Sequence, residues 1–307
     1  MLSVTMTSRS PQSTAEVLRG YVALTKPRII ELLLVTTIPT MVVAANGIPG
    51  FWLIVTTLIG GTLAAGGANT FNMVLDRDID AIMERTKKRP LVTGVMTPRA
   101  ATIFAVALEV VAFAVLALWV NQLSAWLAMS ATAFYVVIYT IWLKRRSKQN
   151  IVIGGAAGAV PVLIGWSAVT NSLSWTPVLL FLVIFIWTPP HFWALAVRYR
   201  DDYEAAHVPM MPVVASLQRT TLEILIYSVI MWALTLFIGP VAHFGWVYAL
   251  SATILGGLFT FYAWRLYHHA HEGKADVAEA MRLFHFSITY LTALFVLMAV
   301  DVLVRFH

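Results

Sequence analysis

The amino-acid sequence predicts an all-α, polytopic membrane protein, a bundle of nine transmembrane helices. Three observations predict it. The 307 residues are 59% hydrophobic and only 12% charged, outside the range of a soluble globular domain. Nine apolar stretches, near 25–45, 51–75, 99–120, 123–143, 150–169, 176–197, 220–240, 244–266 and 283–304, are each long enough to cross the hydrocarbon of a bilayer. None alternates like a barrel strand, so the spans are helical. The loops alternate in charge: those near 46–50, 121–122, 170–175 and 241–243 hold no Lys or Arg. The N-terminal stretch and the segments around 76–99, 144–148, 198–219 and 265–282 hold 20 of the 21 basic residues, Arg305 being the exception. The positive-inside rule places the N-terminus and the basic loops in the cytoplasm and, with an odd number of spans, the C-terminus in the periplasm.

The net charge of +6 follows from this asymmetry. It points to the lipid bilayer and its anionic headgroups, and to no nucleic acid. The absence of Cys excludes disulfides, thiolate metal sites and cysteine nucleophiles. Residues 1–20 read as a flexible N-terminal tail ahead of a single transmembrane domain over 21–307. The tail has no cleavable apolar core, and its two arginines fall short of a mitochondrial presequence. A bacterial inner membrane is the expected location.

Taken in chain order, the first span opens with Lys26-Pro27-Arg28, with Glu31 near its start. The second holds Gly60-Gly61 and Gly66-Gly67, which allow close helix approach. It ends in Asn72-Met73-Val74-Leu75-Asp76-Arg77-Asp78-Ile79-Asp80. Four residues advance a helix by slightly more than one turn, so Asn72, Asp76 and Asp80 share an arc of roughly 80° and span about 12 Å. Asp78 points away by about 200° from Asp76 and reads as a solvated cap. Two carboxylates about 6 Å apart oppose each other by roughly 3 kcal/mol at an effective dielectric near 20. A hard divalent cation relieves that repulsion, and Mg²⁺ commonly works by also holding substrate phosphates. Arg85, Lys87, Lys88 and Arg89 follow, cations suited to anionic oxygens.

Glu109 in the third span is a carboxylate in the membrane and a functional candidate by default. The fourth span ends at Lys144-Arg145-Arg146, and the fifth carries Gly154, Gly155 and Gly158, a helix–helix seam. The sixth ends Trp187-Thr188-Pro189-Pro190-His191-Phe192-Trp193, where consecutive prolines are expected to kink or break the helix beside a cavity. Arg198, Asp201, Asp202 and Glu204 follow it. Glu223 opens the seventh span and Asp301 lies in the ninth.

Together these motifs resemble the intramembrane prenyltransferases of the UbiA superfamily, whose first signature is Asn-xxx-Asp-xxx-Asp on the second helix. The resemblance covers nearly the whole chain after residue 20. It includes Leu24 to Arg28, the Asn72–Asp80 string, Met83 to Leu91, Tyr139 to Arg145, Asn150 to Gly158, Trp187 to Leu195, Asp201-Asp202-Tyr203 and Pro209 to Val213. The Trp187–Trp193 and Asn150–Gly155 strings are those of its haem-modifying branch. Quinone-pathway members carry a second Asp-rich motif from the position of His191 through that of Arg198; here those two positions are His and Arg.

The resemblance implies an enzyme with its active site at the cytoplasmic side. It implies farnesyl diphosphate as donor, Mg²⁺ as cofactor and haem B as acceptor, a vinyl group becoming a hydroxyethylfarnesyl group. It implies Asn72, Asp76 and Asp80 as the catalytic metal site. Asp201 and Asp202 either share that metal role or leave the second loop to the acceptor. Arg85, Lys87 and Arg89, with Lys26 and Arg28, would compensate charge on the diphosphate. His191 would hold the haem iron, and Arg198 or Lys144 would meet a propionate. A downstream haem A synthase or an oxidase assembly protein is a possible partner. Two alternatives stand: a related enzyme acting on a quinone-precursor aromatic, and a transporter or assembly factor without chemistry. A transporter built of inverted repeats would show paired broken helices, and only one Pro-Pro pair is present.

Overall fold

The structure, a computed structural model, describes residues 13–305, apart from the side chains of Arg28, Ile29, Leu32 and Leu33. Every regular element among the described residues is helical. Helix α1 (Thr14–Thr25) and helix α2 (Pro27–Ala45) meet at Lys26, whose left-handed backbone (φ 52°) ends the first helix. Pro27 then starts the second, its fixed φ suiting a first helical turn. The stretch read as a tail thus contains a helix from Thr14; residues 1–12 lie outside the described residues. Helix α3 (Phe51–Leu75) is followed by two short helices, α4 (Arg77–Ile82) and α5 (Pro90–Thr93). Helix α6 (Pro98–Trp119) opens with a proline, and the Thr97 hydroxyl accepts from the Ala100 amide at 3.2 Å. A donor left over at the helix end is thereby satisfied.

Helix α7 (Gln122–Ala133) runs without interruption into a π-helical segment, Phe134–Leu143. The rest are α8 (Asn150–Thr170), α9 (Trp175–Arg198), α10 (Arg200–Ala205), α11 (Met211–Val214), α12 (Leu217–Val241), α13 (Trp246–His271) and α14 (Val277–Arg305). Each of the nine expected spans falls on one helix. Among the described residues eight are long and apolar enough to cross a membrane, α7 counted with its π-helical extension. The other, α2, has a shorter apolar part, Leu34–Ala45.

Helix α9 corrects one expectation. It runs unbroken from Trp175 to Arg198 through Pro189 and Pro190. Packing against α8, α12 and α14 encloses it; Trp187 Nε1 donates to the Ser287 carbonyl of α14 at 2.9 Å, and within α9 the Thr188 hydroxyl donates to the Ile184 carbonyl at 2.8 Å. Neighbouring helices and Ser/Thr side chains are what make proline tolerable inside a membrane helix.

The largest core lies among α9, α12, α13 and α14, around Val183, Met231, Phe259, Tyr290 and Phe295. A second cluster sits at the basic end of the bundle. There Ile79 and Met83 from the first basic loop pack with Tyr203, Val208 and Met210 from the second, over Ile151 and Ala196. These two loops carry most of the residues singled out above.

Candidate active site

Helix α3 ends at Leu75, and Asp76 (φ −93°, ψ 5°) links it to α4. Helical hydrogen bonds nevertheless run through the joint, from the Asp76 amide to the Asn72 carbonyl (2.9 Å) and from the Asp80 amide to the Asp76 carbonyl (2.8 Å). The register survives, and Asn72, Asp76 and Asp80 are all buried, at 3%, 0% and 3% exposure. Asp78 is on the other side. Its two oxygens pair with the Arg145 guanidinium at 2.7 Å each, and that contact holds its carboxyl below the usual range. An open cleft of about 470 Å³ lies on the Asp78 and Arg145 side; Asp76 and Asp80 do not line it.

Asn72 uses every polar atom of its side chain. Its Oδ1 accepts from Lys26 Nζ at 2.8 Å, while Nδ2 donates to Asp76 Oδ2 at 2.7 Å and to Thr140 Oγ1 at 3.1 Å. Asp76 Oδ2 also accepts from Lys144 Nζ. Asp76 Oδ1 is buried without a hydrogen-bond partner, with the Arg145 guanidinium 3.9 Å away. Asp80 Oδ2 accepts from Arg89 at 2.6 Å, and its carbonyl accepts from the Thr86 hydroxyl at 3.0 Å. Lys26 stands in the bend between α1 and α2, ahead of the apolar part of α2 at Leu34–Ala45, where burial, with Arg89 and Lys144 near, pushes its ammonium down to about 7. Lys26, Arg89 and Lys144 thus stand within electrostatic reach of one another and of the Asp76 and Asp80 carboxylates.

The π-helical segment sets the far wall. Its wider turn brings the Thr140 hydroxyl onto the Tyr135 carbonyl at 2.9 Å, and the Tyr135 and Tyr139 rings stack at 5.3 Å. A Cβ at Gly154 would stand 2.3 Å from Tyr139, so α8 can meet this segment only with glycine there. Sequence reasoning gave Lys144 to a propionate; the structure puts it on Asp76. Thr140 went unnoticed, although its four-residue spacing from Lys144 is the same signal that marked Asn72 and Asp76.

The first basic loop lies against the second. Arg85 reaches the Tyr203 hydroxyl at 3.3 Å, with its guanidinium 5.0 Å from the Tyr199 ring centroid. Asp202 accepts from the amides of Glu84 and Arg85. Asp201 and Arg198 are exposed, Arg198 lying 5.6 Å from the Tyr199 ring. Lys87 pairs with Glu84 on the surface. The Arg28 side chain lies outside the described residues. His191 is buried between the rings of Trp187 (4.2 Å) and Phe284 (4.6 Å), with Nδ1 2.6 Å from Ser287 Oγ. The Ser287 hydroxyl donates to the Phe284 carbonyl. It therefore accepts from His191 Nδ1–H, which leaves Nε2 with its lone pair.

The other acids in or near spans differ in their surroundings, and Glu109 Oε2, like Asp76 Oδ1, is buried without a hydrogen-bond partner. Glu31 is exposed and Glu223 pairs with Arg219. Asp301 caps α13, accepting from the amides of Gly245 at 2.6 Å and Tyr248 at 3.2 Å. Glu109 accepts from the Thr132 hydroxyl at 3.1 Å, its Oε1 standing 2.5 Å from where a Cβ at Gly67 would be.

A divalent metal is tested by this donor set. Among the described residues no three His, Asp or Glu side chains converge on one point. Two carboxylates and an amide in one register suit Mg²⁺, which takes one or two carboxylates and completes its octahedron with water and substrate phosphate. The unpartnered Asp76 Oδ1 is the atom such an ion would take. The residues fit.

The profile of the UbiA prenyltransferase family matches residues 33–288. The protoheme IX farnesyltransferase of Streptomyces avermitilis is 51% identical over 305 residues, covering 98% of this chain and 99% of that one. The enzyme of the same name from a Parafrankia species is 55% identical over 281 residues, 92% of this chain and 89% of that one. Among solved structures, that of a digeranylgeranylglyceryl phosphate synthase superposes with a TM-score of 0.76 at 17% identity, covering 94% of this chain and 99% of that one. A UbiA homologue from Archaeoglobus fulgidus bound to GPP and Mg²⁺ gives 0.64 at 17% identity, with 91% and 99% covered.

Proposed function

The chain belongs to the UbiA prenyltransferase family, and on that premise we propose that it transfers a farnesyl group from farnesyl diphosphate to a vinyl group of haem B. It is a multi-pass integral membrane protein and a prenyltransferase. The single observation that carries the site assignment is Asp76, fully buried, ringed by cations and left with one oxygen unpartnered.

Asn72, Asp76 and Asp80 would hold Mg²⁺. Bound there, the ion supplies Lewis-acid neutralisation of the departing diphosphate. Arg89 and Lys144, already on Asp80 and Asp76, stand where diphosphate oxygens would arrive, with Lys26 behind them and Arg85 and Lys87 at the rim. Preorganised cations stabilise the charge that develops on the leaving group. As the C–O bond of the donor breaks, the Tyr135–Tyr139 stack offers a ring face to the allylic cation. The vinyl π pair of haem forms the new C–C bond, water captures the resulting cation, and a proton leaves. His191 Nε2 keeps a lone pair suited to the haem iron, and Arg198 is free to reach a propionate from the surface. The basic end faces the cytoplasm of a bacterial inner membrane, as loop charge favours.

A quinone-precursor aromatic is the rival acceptor. Percent identities above 50 to enzymes named for protoheme favour haem. Purified protein given Mg²⁺, farnesyl diphosphate and either haem B or 4-hydroxybenzoate should add farnesyl plus water to haem, read by product mass. Prenylated benzoate alone would overturn the reading.

A further inference from the structure

Asp202 belongs to a loop whose acids the family resemblance offers to metal, yet its carboxylate lies elsewhere. The segment after α4 makes one helical turn: the Met83 carbonyl accepts the amides of Thr86 and Lys87, each at 3.0 Å. In such a turn the next two amides, of Glu84 and Arg85, have no acceptor within the turn. Asp202, 118 and 117 residues away, supplies both, Oδ1 at 3.2 Å from the Glu84 nitrogen and Oδ2 at 3.3 Å from that of Arg85. A carboxylate with one oxygen on each leading amide is a helix cap, donated here by another loop. The join has a second element. Arg85 hydrogen-bonds Tyr203 and lies over the rings of Tyr199 (5.0 Å) and Tyr203 (5.8 Å). It has a third beneath, the apolar packing of Met83 and Ile79 on Tyr203 and Val208.

What this turn carries gives the join its consequence. Thr86 donates its hydroxyl to the Asp80 carbonyl, the Arg89 amide bonds the Thr86 carbonyl at 2.9 Å, and the Arg89 guanidinium holds the Asp80 carboxylate. A chain of direct contacts thus runs from Asp202 through the turn to Asp80. We propose that Asp202 is a positioning residue: it clasps the second basic loop to the first and thereby fixes Arg89 on the Asn72–Asp80 face and Arg85 at its rim, rather than ligating metal. The clasp itself stands on geometry alone; its effect on diphosphate binding rests on the donor reading above.

The test uses the full-length protein in lipid nanodiscs. Amide hydrogen exchange over residues 83–86 should speed up about tenfold in Asp202→Ala and return most of the way in Asp202→Asn, which keeps an acceptor oxygen without the charge. Glu204→Ala, an exposed change on the same short helix, should leave it as in the wild type. Equilibrium binding of farnesyl diphosphate should weaken about tenfold in Asp202→Ala, with Asn again restoring most of it. The Mg²⁺ concentration for half-maximal binding should stay unchanged in both variants. A rise in that Mg²⁺ requirement in the Ala and Asn variants alike would make Asp202 a metal ligand and overturn the proposal. Unchanged exchange at 83–86 in Asp202→Ala would overturn it as well. Exchange needs no substrate, so a wild type that fails to bind farnesyl diphosphate would sink the donor reading and leave exchange to decide the clasp.

Discussion

Asp76 and Asp301 are both buried aspartates in a membrane protein, at 0% and 1% exposure, and they sit at opposite ends of the bundle. Asp301 is fully committed. Its two oxygens take the Gly245 and Tyr248 amides at the start of α13, and the Arg305 guanidinium lies 3.3 Å away. Asp76 shares one oxygen between Asn72 and Lys144 and keeps the other without a donor. The lesson is that burial alone does not mark a functional carboxylate in a membrane. What separates the two is whether the local backbone and side chains use up the lone pairs. Glu109 also keeps one oxygen without a donor, but only the Thr132 hydroxyl stands on its other oxygen, whereas Asp76 has the Lys144 ammonium on Oδ2 and Arg145 at 3.9 Å from Oδ1.

Changes at each end should break the protein in different ways. The largest effect on chemistry beyond Asp76 itself is expected at its neighbour: Asp80→Asn should lower turnover on the order of 10²-fold, with thermal unfolding in detergent close to wild type. Asp301→Ala should do the reverse. Two amides at a helix start lose their acceptor, at a cost of about 3 kcal/mol in stability, while turnover per folded molecule holds; a circular-dichroism melt alongside the activity assay separates the two. His191→Ala should weaken haem binding about tenfold, roughly 1.4 kcal/mol, and leave farnesyl diphosphate binding unchanged, as titrations with each substrate would read. Asp78→Asn should change turnover and stability least, because an exposed ion pair contributes about 0–1 kcal/mol. A large loss of activity there would blur the line drawn between the two faces of the segment.

The fold was legible in the sequence to the level of spans, because crossing a bilayer demands long apolar runs that composition cannot hide. The shared face of Asn72, Asp76 and Asp80 was legible too, since helical hydrogen bonds persist through the joint at Asp76. Three features were not. Proline chemistry suggested a break at Pro189-Pro190, but neighbouring helices hold α9 continuous, and that support is tertiary. The π-helical turn at Phe134–Leu143 leaves no mark in an apolar run, whose periodicity is equally that of an ordinary helix. The loop partners were hidden for the same reason: Asp202 meets residues more than a hundred positions away, and Lys144 reaches Asp76 from a different span. Spacing within one element reports a face; it does not report what another element brings to it.

The central claim is that the open carboxylate at Asp76 is where the prenyl diphosphate is activated. Its most direct test is Mg²⁺-dependent release of diphosphate from farnesyl diphosphate, with haem B present, by wild type and by Asp76→Asn at matched folded concentration. The account predicts release and farnesylated haem from the wild type, and neither from a variant that still melts cooperatively in detergent. Full turnover in Asp76→Asn would contradict it.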